Sequence, residues 1–282
     1  MPTSTDNRRP DTGYLMVQGL TAGYGAAPII NDISLTVAEG EVVTVIGPNG
    51  GGKSTLLKCL TGRLRPEAGH VLFDGNDVTA ASGNALTKGG LGYVPQHNDI
   101  FPTLTVRENL EMGGYLLPKA QVGERIDYVL ETFPSLRPLL KRSGKLLSGG
   151  ERKLLGIGRS LISSPKLLIL DEPTAGLSPI LARSMLDDHI TSLARAGVTI
   201  LLVEQRAYQA MQIADWCYVL TAGRVELNDA PAALLARPDF ADLFLGRSAR
   251  KPPPAAPVGA LDGCVPGPEV SNEGGEFGGT FE

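Results

Sequence analysis

Gly47-Pro48-Asn49-Gly50-Gly51-Gly52-Lys53-Ser54 follows the apolar run Val42–Ile46 and leads into Thr55-Leu56-Leu57-Lys58-Cys59-Leu60. This is G-x-x-x-x-G-K-[ST], a glycine-rich turn between a strand and a helix, and it predicts a phosphate-binding loop. Glycines suit such a turn because backbone N–H groups must face inward and approach an anion with no Cβ in the way. The helix beyond it offers its N-terminus and partial positive charge to the same anion. Lys53 is expected on the β- and γ-phosphates and the Ser54 hydroxyl on Mg²⁺, with Thr55 beside them.

A second apolar run, Leu167–Leu170, ends in Asp171-Glu172-Pro173. Such a strand suits the middle of a parallel sheet, and carboxylates at its C-terminal end fall where α/β folds bind ligands. Asp171 is expected on Mg²⁺, through a water, and Glu172 beside the attacking water. Further strands are predicted at Val71–Phe73, Leu91–Val94 and Thr199–Val203, with half-buried antiparallel strands at Leu15–Leu20 and Ile33–Val37. Helical spacing covers Ser54–Thr61, Val122–Phe133, Glu151–Ser163, Ile180–Ala196 and Ala207–Ile213. The alternation predicts an α/β fold with a mainly parallel core sheet. Residues 101–150 break it with helices and loops, so a helical lobe is expected over about 97–150.

Composition narrows the class further. Lys and Arg number 26 against 30 Asp and Glu, a net charge of −4 that argues against a general nucleic-acid binder. Residues 251–282 contain seven glycines, six prolines, one lysine and five acids, so residues 1–250 are neutral and the tail carries the whole imbalance. Residues 1–13 and 249–282 are expected to be disordered, around an ordered body over 14–248. Cys59, Cys217 and Cys264 are too few and too scattered for a disulfide framework or a zinc site. No apolar leader is visible at the start, and runs such as Val198–Val203 are too short to span a bilayer.

Leu147-Ser148-Gly149-Gly150-Glu151 opens the helix at Glu151–Ser163. Alone it reads as an ordinary helix cap with Ser148 as capping residue. It also lies between the phosphate loop and the acidic strand, and there the chain resembles the ATP-binding subunits of ABC transporters. ETFPSL, SGGERKLLGIGRSL, DEPTAGLSPI, LLVEQRAYQAMQIAD and YVLTAGRV are similar to the second ATPase of branched-chain amino-acid importers and their urea or amide relatives. The likeness runs from about Leu15 to Gly246.

The resemblance implies an ABC ATPase domain in which an antiparallel β subdomain and a helical lobe flank the core sheet. ATP and Mg²⁺ would be its ligands. Tyr24 would stack on adenine, Gln96 would contact Mg²⁺ and link the nucleotide to membrane subunits, and Ser178 would communicate across a dimer. In a head-to-tail pair, Ser148, Gly149 and Gly150 would complete the partner's phosphate site. The partners would be a second ATPase subunit or a second copy, two permeases and, indirectly, a solute-binding protein, at the cytoplasmic face of the membrane. The lobe surface, including Phe101, Leu104 and Glu111–Leu117, is the candidate docking face.

Two departures from the family pattern stand out. Gln205, within Val203-Glu204-Gln205-Arg206, occupies the place of the histidine that contacts the γ-phosphate. It is expected to donate an amide hydrogen bond there, without the charge of imidazolium. Gly51 stands where alanine is usual, with little consequence expected. Other classes fit less well. A homodimeric export or lipid-extraction ATPase generally keeps the histidine. A soluble ABC-type ATPase usually carries two cassettes or a coiled coil. A phosphate-loop kinase or GTPase leaves LSGGE unexplained and lacks N-K-x-D.

Overall fold

The computed structural model describes residues 13–240, apart from Ala26, Asn98 and Asp239. The expectations for residues 1–12 and 241–282, including the tail and Cys264, lie outside the described residues.

The chain begins with β1 (Leu15–Gly23), β2 (Pro28–Val37), β3 (Val42–Ile46), α1 (Lys53–Leu60), β4 (Ala68–Phe73), β5 (Asn76–Asp77), α2 (Gly83–Lys88) and β6 (Leu91–Val94). Then come α3 (Val106–Gly113), α4 (Lys119–Thr132) and α5 (Gly149–Leu161), with 3₁₀ turns at Pro134–Leu139 and Gly144–Leu146 before α5. The remainder is β7 (Leu167–Asp171), α6 (Pro179–Ser184), α7 (Thr191–Arg195), β8 (Thr199–Glu204), α8 (Ala207–Met211), β9 (Trp216–Thr221), β10 (Arg224–Asp229) and α9 (Pro231–Leu235).

One sheet has the order β10-β9-β3-β8-β7-β6, parallel except for the β10 edge. The other, β2-β1-β4-β5, is antiparallel. Strands β3 and β8 are buried along their whole length, because both faces of the parallel sheet are covered. The two-residue period of a strand then divides the core. Leu168, Leu170, Ile200 and Leu202 join the helices α3–α7, while Leu167, Ile169, Leu201 and Val203 face α1 and the antiparallel strands.

Between β6 and β7 the described residues hold helices and turns, with one isolated bridge, Thr105 to Ser143. Thr105 caps α3 in a reciprocal pair with Glu108, which satisfies two backbone donors at once. Buried Asn109 gathers the loop before that helix. Its side chain accepts from Phe101 N–H at 2.7 Å and donates to the carbonyls of Phe101, Leu104 and Thr105.

The short elements β5, α2 and α9 lie where the sequence reading names none, and two longer stretches differ from it. The helix expected over Ile180–Ala196 is interrupted by a π segment at Met185–Ile190, where the Thr191 hydroxyl donates to the Leu186 carbonyl five residues back. The β9–β10 hairpin was not anticipated. Its two-residue turn, Ala222-Gly223, takes φ of 49° and 76°, the left-handed pair that matches strand twist. Alanine at the first position hides that signal.

Candidate nucleotide site

The loop after β3 and the end of β7 sit at the same edge of the parallel sheet, where Ile46 pairs with Glu204 and Asp171 with Val203. A Cβ at Gly47 would collide with the Leu220 carbonyl of β9, so close backbone approach requires glycine there. Gly52 caps α1 at φ 106°, a conformation that L side chains rarely adopt. Gly51 does not fit the expectation of little consequence. An added Cβ would lie 2.7 Å from the Leu220 carbonyl oxygen and 3.0 Å from that of Pro48, so alanine would need backbone to give way.

Lys53, 6% exposed, turns back into the loop and donates to the carbonyls of Gly47 at 2.8 Å and Pro48 at 3.0 Å. Burial lowers its pKa, and the carboxylates of Glu172, Asp171 and Glu204 act in the opposite direction. Ser54 is exposed in the first turn of α1 and Thr55 is buried. Together the loop offers a cation, an exposed hydroxyl and a cradle that side chains would fill, a donor set suited to polyphosphate.

Asp171 ends β7, where the Tyr93 hydroxyl donates to its Oδ2 at 3.2 Å. Burial raises the Asp171 pKa, and the same effect, with Asp171 beside it, pushes Tyr93 up to about 12. Glu172 has φ 45°, in the left-handed region, and its N–H donates to the Val203 carbonyl at 2.8 Å. Its Oε2 accepts from Gln96 Nε2 at 2.6 Å. Asp171, Glu172 and Gln96 are thus gathered at the sheet edge, with Gln96 reaching Glu172 directly.

The sequence reading missed the residues that hold this group. Lys153, on α5, donates to the Gln96 carbonyl at 2.5 Å and lies 3.6 Å from Asp99. Buried Glu204 accepts from Thr174 N–H and its hydroxyl, at 3.0 and 2.7 Å. The available signal for Glu204 was a carboxylate directly after the apolar run Thr199–Val203, while its burial and its Thr174 partner were visible only in the fold. Lys153 was hidden among the exposed charges at the start of a helix.

Other expected residues stand further out. Tyr24 is 57% exposed, with Lys58 Nζ 4.9 Å from its ring centre. Gln205 is exposed just beyond β8. Ser148 caps α5 by accepting from Glu151 N–H at 3.3 Å, while Glu151 returns a carboxylate to Ser148 N–H at 2.6 Å. Cβ positions at Gly149 and Gly150 face Leu177 and Leu181, in the segment that follows Glu172. Ser178, exposed, caps α6. Cys59 and Cys217 are buried thiols, pushed up to about 11 and about 12 by burial.

A family model described as ABC transporter matches residues 30–175. The branched-chain amino acid transport ATP-binding protein BraG of Pseudomonas aeruginosa is 42% identical over 223 residues, 79% of this chain and 95% of that protein. The probable counterpart LivF of Archaeoglobus fulgidus is 40% identical, covering 80% and 96%. The lipopolysaccharide export ATP-binding protein LptB of Haemophilus influenzae is 32% identical, covering 82% and 97%. Among solved structures, the ADP conformation of an ATP-binding cassette from an ABC transporter aligns with TM-score 0.76 at 29% identity, over 83% of this chain and 99% of that one. A cassette with these loops, similar over nearly the full length of such relatives, leaves one assignment: the chain belongs to the ABC transporter family, as an ATP-binding subunit whose ATPase is coupled to transport.

Proposed function

We propose that this subunit binds and hydrolyses Mg-ATP to power an importer of branched-chain or related amino acids. The observation that carries the chemistry is the meeting of Lys53, Asp171, Glu172 and Gln96 at one sheet edge. The cargo class rests on BraG and LivF, which are more similar to this chain than the LptB proteins are. A urea or amide importer is the nearest alternative cargo.

Lys53 and the loop amides would bind the β- and γ-phosphates, and Tyr24 would stack on the base. Among the described residues no cluster of three His, Cys, Asp or Glu could hold a metal alone. The donor set fits Mg²⁺ held jointly with phosphate oxygens, by Ser54, Gln96 and, through water, Asp171. Bound there, Mg²⁺ would neutralise charge on the transferring phosphoryl group. Glu172 would orient the attacking water and accept its proton, and Gln205 would donate to the γ-phosphate.

Ser148, Gly149 and Gly150 lead α5 and would complete the opposite site in a head-to-tail dimer, homomeric or with a second ATPase. Four phosphate charges need donors on both sides, and a closed interface excludes water. An open groove of about 550 Å³, lined by Arg63, Tyr93, Phe101, Met112, Tyr115 and Arg159, supports permease docking beside the helical lobe. No helix among the described residues is long and apolar enough to cross a membrane. The proposed permease contact would hold this subunit at the cytoplasmic face.

The test is affinity purification from native membranes. Two hydrophobic permeases should co-purify, with ATPase activity several-fold above that of the isolated chain and stimulated by a binding protein loaded with branched-chain amino acid. Recovery without membrane proteins, or full activity as an isolated monomer, would overturn the reading.

A further inference from the structure

Glu204 is 1% exposed at the end of β8, a costly place for a carboxylate. Its lone pairs are nonetheless occupied. Oε1 accepts from both Thr174 donors, at 3.0 and 2.7 Å, and Oε2 accepts from Gln205 N–H at 3.2 Å. The Arg206 N–H adds a further backbone contact to the same carboxylate. An ionised carboxylate can accept about four such bonds, so this one is close to saturated.

These partners lie in two different segments. Thr174 opens the turn that runs through Leu177 to Ser178, and Gln205 and Arg206 begin the loop beyond β8. A second tie joins the same two segments, since Arg206 Nη2 donates to the Leu177 carbonyl at 3.3 Å. Gln205 therefore stands between two fasteners, while its own side chain is exposed. Filling space at the strand end would need only an apolar residue, which would also avoid burying a charge. What the carboxylate adds is a rigid link from one loop to the other.

We infer that Glu204 and Arg206 are positioning residues that clasp the Gln205 loop to the 174–178 turn. A contact between Gln205 and the γ-phosphate is thereby passed to Ser178. Glutamine carries no charge of its own to pull on neighbouring segments, so the clasp supplies mechanically what an imidazolium would supply electrostatically. The inference rests on the reading of Gln205 as the γ-phosphate contact.

Amide hydrogen exchange on the full chain, with a non-hydrolysable ATP analogue and Mg²⁺ as probe, tests it. In the wild-type protein the analogue should slow exchange in both 205–206 and 174–178. In Glu204→Gln and in Arg206→Ala the response at 174–178 should fall at least fivefold, while the analogue's Kd changes less than threefold. In the assembled transporter kcat should drop about tenfold with KM unchanged. An undiminished response at 174–178 in both variants, or no response there in a wild-type chain that does bind the analogue, overturns the clasp. So does a loss of affinity that parallels the loss of response, which would make these residues part of nucleotide binding alone. If Glu204→Gln fails to fold, Arg206→Ala carries the same test. If the wild-type chain binds no analogue, the nucleotide reading fails, and the clasp is judged without ligand: Glu204→Gln must speed exchange of the Thr174 amide, and an unchanged rate overturns it.

Discussion

The side-chain amide of Gln96 donates to the Glu172 carboxylate across 2.6 Å, so the proposed metal contact and the proposed base hold each other. Glu172→Gln preserves the shape and removes the basic oxygen. ATP binding should persist, while turnover of the assembled complex falls roughly 10²–10⁴-fold, the range expected when a general base is lost. Single-turnover measurements with radiolabelled ATP would check this, and unchanged hydrolysis would remove Glu172 from the role.

Tyr24 presents more than half of its surface to solvent, as Tyr115 and Tyr208 also do, so a base could reach its ring. Tyr24→Ala should weaken ATP binding by roughly 1–3 kcal/mol, as loss of base stacking does elsewhere. Tyr24→Phe should leave it unchanged. Fluorescent-nucleotide titration separates the two, and equal weakening in both variants would point to the hydroxyl instead.

Lys153 joins α5 to the Gln96 backbone and to Asp99, and both ionic side chains are only 11% exposed. Removing one partner strands the other, so Lys153→Met should cost about 3 kcal/mol of stability. Calorimetry should show a Tm lower by roughly 2–4 °C for each kcal/mol. A Tm within 1 °C of wild type, by the same scale, would mean that Asp99 finds other compensation.

Glu151 gives a pH test of the α5 cap. Its bonds to the Ser148 backbone and hydroxyl hold its pKa below the ordinary 4.5. A carboxylate depressed on folding stabilises above its ordinary pKa, and that contribution is lost as pH falls through the lowered one. The Ser148 amide should therefore keep its protection at neutral pH and lose it, judged against the intrinsic exchange rate at each pH, on acidification below 4.5. Glu151→Gln should flatten the profile. Asp171 behaves in the opposite sense, because burial raises its pKa and Mg-dependent nucleotide binding should weaken early on acidification.

The phosphate loop, β3, β7 and β8 were legible because continuous apolar runs end in motif residues, a purely local signal. The β9–β10 hairpin was not, since Ala222-Gly223 adopts a turn that Asn-Gly would have announced. Within the site, the residue types at 53, 171 and 172 were readable, but their supports were not. Tyr93 to Asp171, Lys153 to Gln96 and Glu204 to Thr174 each join distant stretches, and no periodicity encodes a pairing across the fold. The cost of a methyl group at Gly51 was equally hidden, because the carbonyl it would strike belongs to β9.

That β9 carbonyl also bears on how the protein is made. Gly47 and Gly51 rest against Leu220, and Gly223 N–H donates to the Gly51 carbonyl at 3.0 Å. The phosphate loop is thus seated on residues translated long after it. A nascent chain that has passed Ser54 carries the whole motif without the floor on which it sits. Competence to hold a nucleotide should appear late in synthesis, once the hairpin around Gly223 has left the ribosome and closed beneath the loop.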